Sequence, residues 1–187
     1  MDIRVSVQAM YYIAKQLNKP VDKLTLLKLV FFADRYHVRK YARTITDDTY
    51  FALPYGPVAS NTKDILDDLA DMGLKEEAYA RQFIDIVDIK TFQAKQISEE
   101  LDYLSETDIE ALDFVIENFG HMSSFGLVDL THKYPEWKRF EKSLENGMKR
   151  ERIMMEDFFK DPEIADDKFK FIPLSVVNTS KEIFFHG

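Results

Sequence analysis

Leu26-Leu27-Lys28-Leu29-Val30-Phe31-Phe32-Ala33-Asp34-Arg35-Tyr36-His37 is followed by Thr46-Asp47-Asp48-Thr49-Tyr50, and then by Pro54-Tyr55-Gly56-Pro57-Val58-Ala59. The first stretch predicts a helix from about Asp22 to Tyr41. Its first half, Leu24 to Ala33, is apolar almost all round, as in a central helix buried on most sides. Its second half turns polar at Asp34, Arg35, Arg39 and Lys40 and is expected to emerge towards solvent. Thr44 to Leu53, β-branched and aromatic around Asp47-Asp48, reads as a short extended segment or hairpin. Pro54 to Pro57 is expected as a loop, with Gly56 extended because it precedes a proline.

Working outward, Val5, Ala9, Tyr12, Ile13 and Gln16 or Leu17 recur at helical spacing over residues 4–18, with Asn18 and Pro20 as the stop. Val58, Thr62, Ile65, Leu69 and Met72 mark another stripe, with Gly73 placed as its C-cap. Phe83 to Ile89 looks like a strand, paired with the segment around Tyr79. Ser105 with Asp108 forms a capping-box-like start, and Leu104 facing Ile109 a hydrophobic staple. Ile109, Leu112, Val115, Ile116 and Phe119 follow as a buried stripe that Gly120 ends. Ser123 or Ser124 caps a further helix reaching towards Pro135. A short helix is expected at Arg150 to Phe159, a linker from Asp161 to Asp167, and strand-like patches at 169–172 and 174–177. The fold class is mainly α: a helical domain of about five to seven helices with one or two small β-hairpins. The expected organisation is one domain over 1–160 and a C-terminal linker and tail over 161–187.

The 187 residues suffice for a substantial core. With 25 basic against 33 acidic residues the net charge is −8, which disfavours broad nucleic-acid binding. Lys138-Arg139 and Lys149-Arg150-Glu151-Arg152 are the only candidates for a local basic patch. The chain has no cysteine, which excludes disulfides and thiolate metal sites and fits a reducing cytoplasm. The N-terminus has no signal-peptide core, and the longest apolar run, Leu29 to Ala33, is too short to span a bilayer. A soluble cytoplasmic protein is expected.

The sequence holds no Gly-rich phosphate loop. Gly120 to Gly126 has the wrong spacing for a nucleophile elbow, and no strand precedes it. Asp34 and His37, three apart on a helix, can face the same side, but matching ligands from other helices are missing. His121 and His132 have no metal-ligand partners at useful spacing. The doublets Asp47-Asp48, Asp67-Asp68, Glu99-Glu100 and Asp166-Asp167 do not build a carboxylate pair, since adjacent side chains on a strand diverge. Asp47-Asp48 suits turn chemistry, or contact with a basic partner beside Tyr50 and Tyr55. Trp137, in Tyr134-Pro135-Glu136-Trp137, suits either packing against the bundle or a surface role in recognition. No catalytic residue, metal ligand or cofactor is assigned.

Three blocks, Leu26 to Arg43, Thr46 to Ala59 and Leu104 to Trp137, resemble the Panacea domain, the SocA-like antitoxin family of bacterial and phage toxin–antitoxin pairs. Ile153 to Phe159 is a weaker match. The resemblance implies a mainly helical domain that neutralises a toxin encoded beside it by direct contact. In the SocA branch it implies instead a proteolytic adaptor for an ATP-dependent protease. Family members often have glycine where Ala42 stands, so the helix exit here is expected not to need a free φ. The chain begins directly with the shared domain, which speaks against an autorepressor role. The partner-binding surface is placed at Asp47, Asp48, Tyr50, Tyr55, Gly56, Pro57 and Arg39. Two rivals are a small metal-dependent hydrolase centred on Asp34, His37 and His132, and a phage or mobile-element adaptor that binds another host protein.

Overall fold

Helix α2 (Lys23–Tyr41) is the axis of the computed structural model, which describes residues 2–71, 77–98 and 100–187. Its start is set by Asp22, whose carboxylate accepts from the Thr25 backbone N–H at 3.1 Å and the Thr25 hydroxyl at 2.7 Å. Every residue from Thr25 to Arg39 is buried. The predicted emergence of its second half is therefore wrong, because other segments of the chain cover that half as fully as the first.

Around α2 pack α1 (Ile3–Leu17), α3 (Ser60–Asp71), α5 (Glu106–Phe119), α6 (Ser124–Thr131), α9 (Met155–Phe158) and α10 (Leu174–His186). Helix α1 starts at an Asp2 cap and, as the sequence predicts, stops at Asn18, which turns left-handed. The capping box of Ser105 and Asp108 opens α5, and Ser123 caps α6. Short helices α4 (Glu77–Phe83), α7 (Pro135–Lys138) and α8 (Glu141–Glu145) complete the set. The fold is mainly α, but ten α-helices stand among the described residues, more than expected. The excess comes from the short helices α4, α7 and α8, which carry too little periodicity to read from sequence, and from the 13-residue α10, whose start reads as strand. The predicted cap at Gly73, and Met72 and Glu99, lie outside the described residues.

Strands β2 (Tyr50–Leu53) and β3 (Gly56–Ala59) form an antiparallel hairpin, Tyr50 opposite Ala59 and Leu53 opposite Gly56. Gly56 and Pro57 thus belong to a strand, and only Pro54 and Tyr55 make the turn. Strand β6 (Glu151–Arg152) pairs with the outer edge of β2, in place of the first turns of the helix expected from Arg150. In the second sheet β5 (Thr91–Ala94) lies between β1 (Val21–Asp22) and β4 (Ile84–Asp88). The expected partner of β4, around Tyr79, is helical instead.

The core is aromatic. Phe32 stacks on Phe119 at 4.7 Å and meets Tyr134 and Phe169 edge-on or tilted at 5.1 and 5.7 Å. Phe169 sits on a 3₁₀ turn (Lys168–Phe171), and Val177 and Ser180 of α10 are buried one helical turn apart. Both patches read as strand-like are thus helical. Burial at period three to four overrode the β preference of Phe, Ile and Val. Replacing Phe169 with Ala should cost about 3–5 kcal/mol, read as a lower urea midpoint.

Ala42 ends α2 at φ 58° and ψ 23°, its N–H bonded to the Val38 carbonyl at 3.1 Å. The left-handed conformation is needed here after all, and Ala bears the strain of its Cβ against the following carbonyl. Ala42→Gly should therefore raise the unfolding free energy by about 1 kcal/mol, measured by denaturant titration.

Candidate functional site

The buried polar face of α2 holds the loops that frame the hairpin. Asp34 accepts four hydrogen bonds, from the Ile45 and Thr46 amides at 2.7 and 3.0 Å and the Thr46 and Tyr50 hydroxyls at 2.7 and 2.8 Å. Burial pushes its carboxyl up to about 6, while these donors pull the other way. His37 sits 2.8 Å from the Arg43 carbonyl through Nδ1, and 2.9 Å from the Thr107 hydroxyl through Nε2. Burial lowers its basicity.

On another side of the helix, Arg35 pairs with Glu136 of α7, both side chains fully buried, and donates to the Lys160 carbonyl at 2.6 Å. Burial raises the Glu136 carboxyl, with Arg35 opposing. Arg39 donates to the Phe158 carbonyl at 3.0 Å and to Asp161 at 2.5 Å. Such charges leave water only where carboxylates and carbonyls replace it.

The opposite end of α2 seats the hairpin turn. Lys28, fully buried, donates from Nζ to the Pro57 carbonyl at 2.8 Å. The Trp137 indole N–H donates to the Leu53 carbonyl at 2.7 Å. His132 stacks flat on Trp137, centroids 3.6 Å apart. Gly56 has φ +95°, and a Cβ there would lie 2.6 Å from Thr131 Oγ1 and 2.9 Å from Lys28 Nζ, so the turn needs glycine. The extended conformation expected ahead of Pro57 gives way to this close approach. Trp137 is a packing residue, not a surface one.

The predicted contact residues therefore divide. Tyr50, Gly56, Pro57 and Arg39 are buried and committed inward. Asp48 caps α3, accepting from the Asn61 and Thr62 amides at 2.9 Å each. Asp47 is exposed at a left-handed φ of 49° ahead of β2. Tyr55, 59% exposed, stands at the hairpin turn.

Tyr55 lines a depression of about 630 Å³ with Phe125, Ile89, Leu24 and Ala70, rimmed by Lys23, Lys90 and Asp67. Phe125 and Ile89 are 63% and 69% exposed. Sequence reasoning missed both, since an exposed Phe on a helix and an Ile in a β-turn look like core residues until the fold is known. It missed Lys28 too, although a lysine among Leu26, Leu27, Leu29 and Val30 was a readable signal.

Asp34, His37 and His132 each have separate partners and do not converge. Among the described residues no group of three or more His, Asp or Glu side chains is arranged to hold a metal. No described helix is long and apolar enough to cross a membrane.

What the geometry defines is a mainly helical domain whose central helix carries a rigid, outward-facing hairpin turn. The family model described as the SocA-like antitoxin, Panacea domain, matches residues 26–138, from the first turn of α2 to the end of α7, and the chain belongs to that family. The match contains both donors that hold the turn, Lys28 and Trp137. No curated protein and no solved structure matches the chain.

Burial pushes the Lys28 amine down to about 7. Between that value and the ordinary lysine range the unfolded chain holds one more proton than the folded one, so stability rises with pH and levels off below 7. Relative to Lys28→Met, the wild type should gain about 1.4 kcal/mol per pH unit between pH 7.5 and 9.5, read by urea unfolding at each pH.

Proposed function

We propose that this protein is the antitoxin of a bacterial or phage toxin–antitoxin pair and that it neutralises a cognate protein toxin by direct, non-catalytic contact in the cytoplasm. Family membership over residues 26–138 carries the reading. The contact face is the depression at Tyr55, Phe125 and Ile89, with Asp47 at the other end of the same hairpin. Three large apolar side chains exposed around one concavity are unusual on a free surface and common where a partner docks. Tyr55 in particular stands on a turn fixed by two side-chain hydrogen bonds, so little order is lost on binding. A stable complex would bury on the order of 1,200–2,000 Å².

The test is co-expression with the neighbouring open reading frame in a bacterial host. The neighbour alone should arrest growth, and the pair should restore it. The double variant Tyr55→Ala/Phe125→Ala should lose rescue while melting within a few degrees of the wild type. A neighbour that is harmless, or rescue that is absent with the wild type, would sink the antitoxin reading. Toxin abundance in the rescued cells separates the two modes: direct neutralisation leaves it unchanged, and delivery to an ATP-dependent protease depletes it.

A further inference from the structure

We infer that a second recognition face, distinct from the Tyr55 depression, takes a short acidic segment of a protein partner. Residues 133–160 carry eight basic and six acidic side chains, net +2, leaving 17 of the 25 basic and 27 of the 33 acidic residues, net −10, to the rest of the chain. The fold gathers part of that excess at one place. Lys133, Lys138, Arg139 and Lys160 line a surface depression of about 650 Å³, with Pro135, Pro162 and Ile164 as its apolar part.

Three carboxylates, Asp157, Asp161 and Glu163, share its wall. Two of them are spoken for. Asp157 is buried and holds Arg139 at 2.8 Å and Lys160 at 2.7 Å. Asp161 holds Arg39, whose guanidinium lies behind the wall beside that of Arg35, and both arginines donate to the Lys160 carbonyl. Neither Arg35 Nε nor Arg39 Nε has a hydrogen-bond partner among the described residues. At the mouth, Lys138 is 58% exposed and reaches only Glu141, and Lys133 makes no ion pair among the described residues.

Four cations among three carboxylates, two of which are held in ion pairs, suit a discrete acidic segment better than a nucleic acid. A nucleic-acid strand carries a charge at every nucleotide, and the rest of the chain, with its net charge of −10, repels it. A short peptide with carboxylates at alternate positions meets the cations and stays within the depression, gaining on-rate and specificity from complementarity.

The measurement is fluorescence anisotropy on the full chain at low salt. The probes are a labelled alternating Glu-Ala decapeptide, its Lys-Ala counterpart, and a single-stranded deoxyoligonucleotide of the same charge as the acidic peptide. The wild type should bind the Glu-Ala peptide, with affinity falling as salt rises. Lys133→Glu/Lys138→Glu should weaken it by about tenfold or more. Lys19→Glu/Lys181→Glu, an equal charge change elsewhere on the surface, should leave it unaltered. If the first double variant melts early, Lys133→Ala/Lys138→Ala takes its place with the same expectation. Absent binding, equal loss in the control pair, or an oligonucleotide bound as tightly as the peptide would overturn the assignment. Because the two faces share no residue, such a failure leaves the antitoxin reading standing, and failed toxin rescue leaves this one standing.

Discussion

Water is excluded from both halves of helix α2, and the second half carries Asp34, Arg35, His37 and Arg39 into the interior with it. That constraint organises the rest of the molecule. Each of these side chains takes its partners from protein rather than water, and each recruits another segment: Asp34 the 45–50 loop, His37 the start of α5, Arg35 and Arg39 the α7 helix and the 158–161 turn. Buried ion pairs add little net stability, because the desolvation of both partners offsets their attraction. What they impose is geometry, since stranding one partner is costly while keeping both fixes where the loops can lie.

The hairpin is the clearest product of that organisation. Its outer edge is paired by β6, Asp34 and Thr46 approach the Tyr50 hydroxyl at one end, and Lys28 and Trp137 hold the turn at the other. Residues with recognition chemistry, Tyr50 and Arg39 among them, are consumed in building this support. The surface left exposed at the turn is accordingly more apolar than the acidic, tyrosine-rich one that the sequence suggested. Tyr55 belongs to both descriptions, because the two bonds that fix its neighbours leave its own ring outside.

The segment after the family match contributes more than an appendage would. Phe158 packs on Phe31 and Tyr50, and Phe169 on Phe32, Phe119 and Tyr134. Together with Lys133 and Lys138 at the end of the match, Arg139 and Lys160 bring basic side chains to the rim of one depression on an otherwise acidic molecule. One run of chain thus closes the aromatic core from beneath and alters the charge of the surface above it.

The amino-acid order alone determined the helical class, the limits of α1, α2 and α5, the capping box at Ser105, and the resemblance carried by three blocks. All of these rest on local signals, namely periodicity, caps and breakers, which are encoded within a few residues. Lys28, Phe125 and Ile89 were visible as residues but not as neighbours, and Asp34, Arg35 and Arg39 looked solvent-facing because nothing within a helical turn satisfies them. Gly56 and Ala42 were expected to be conformationally ordinary and are not, since their φ values answer to contacts and to a helix exit that neighbouring residues do not announce. Which charges are buried, which aromatic rings remain outside, and which strands pair depend on partners tens of residues away, and only the tertiary fold brings those partners together.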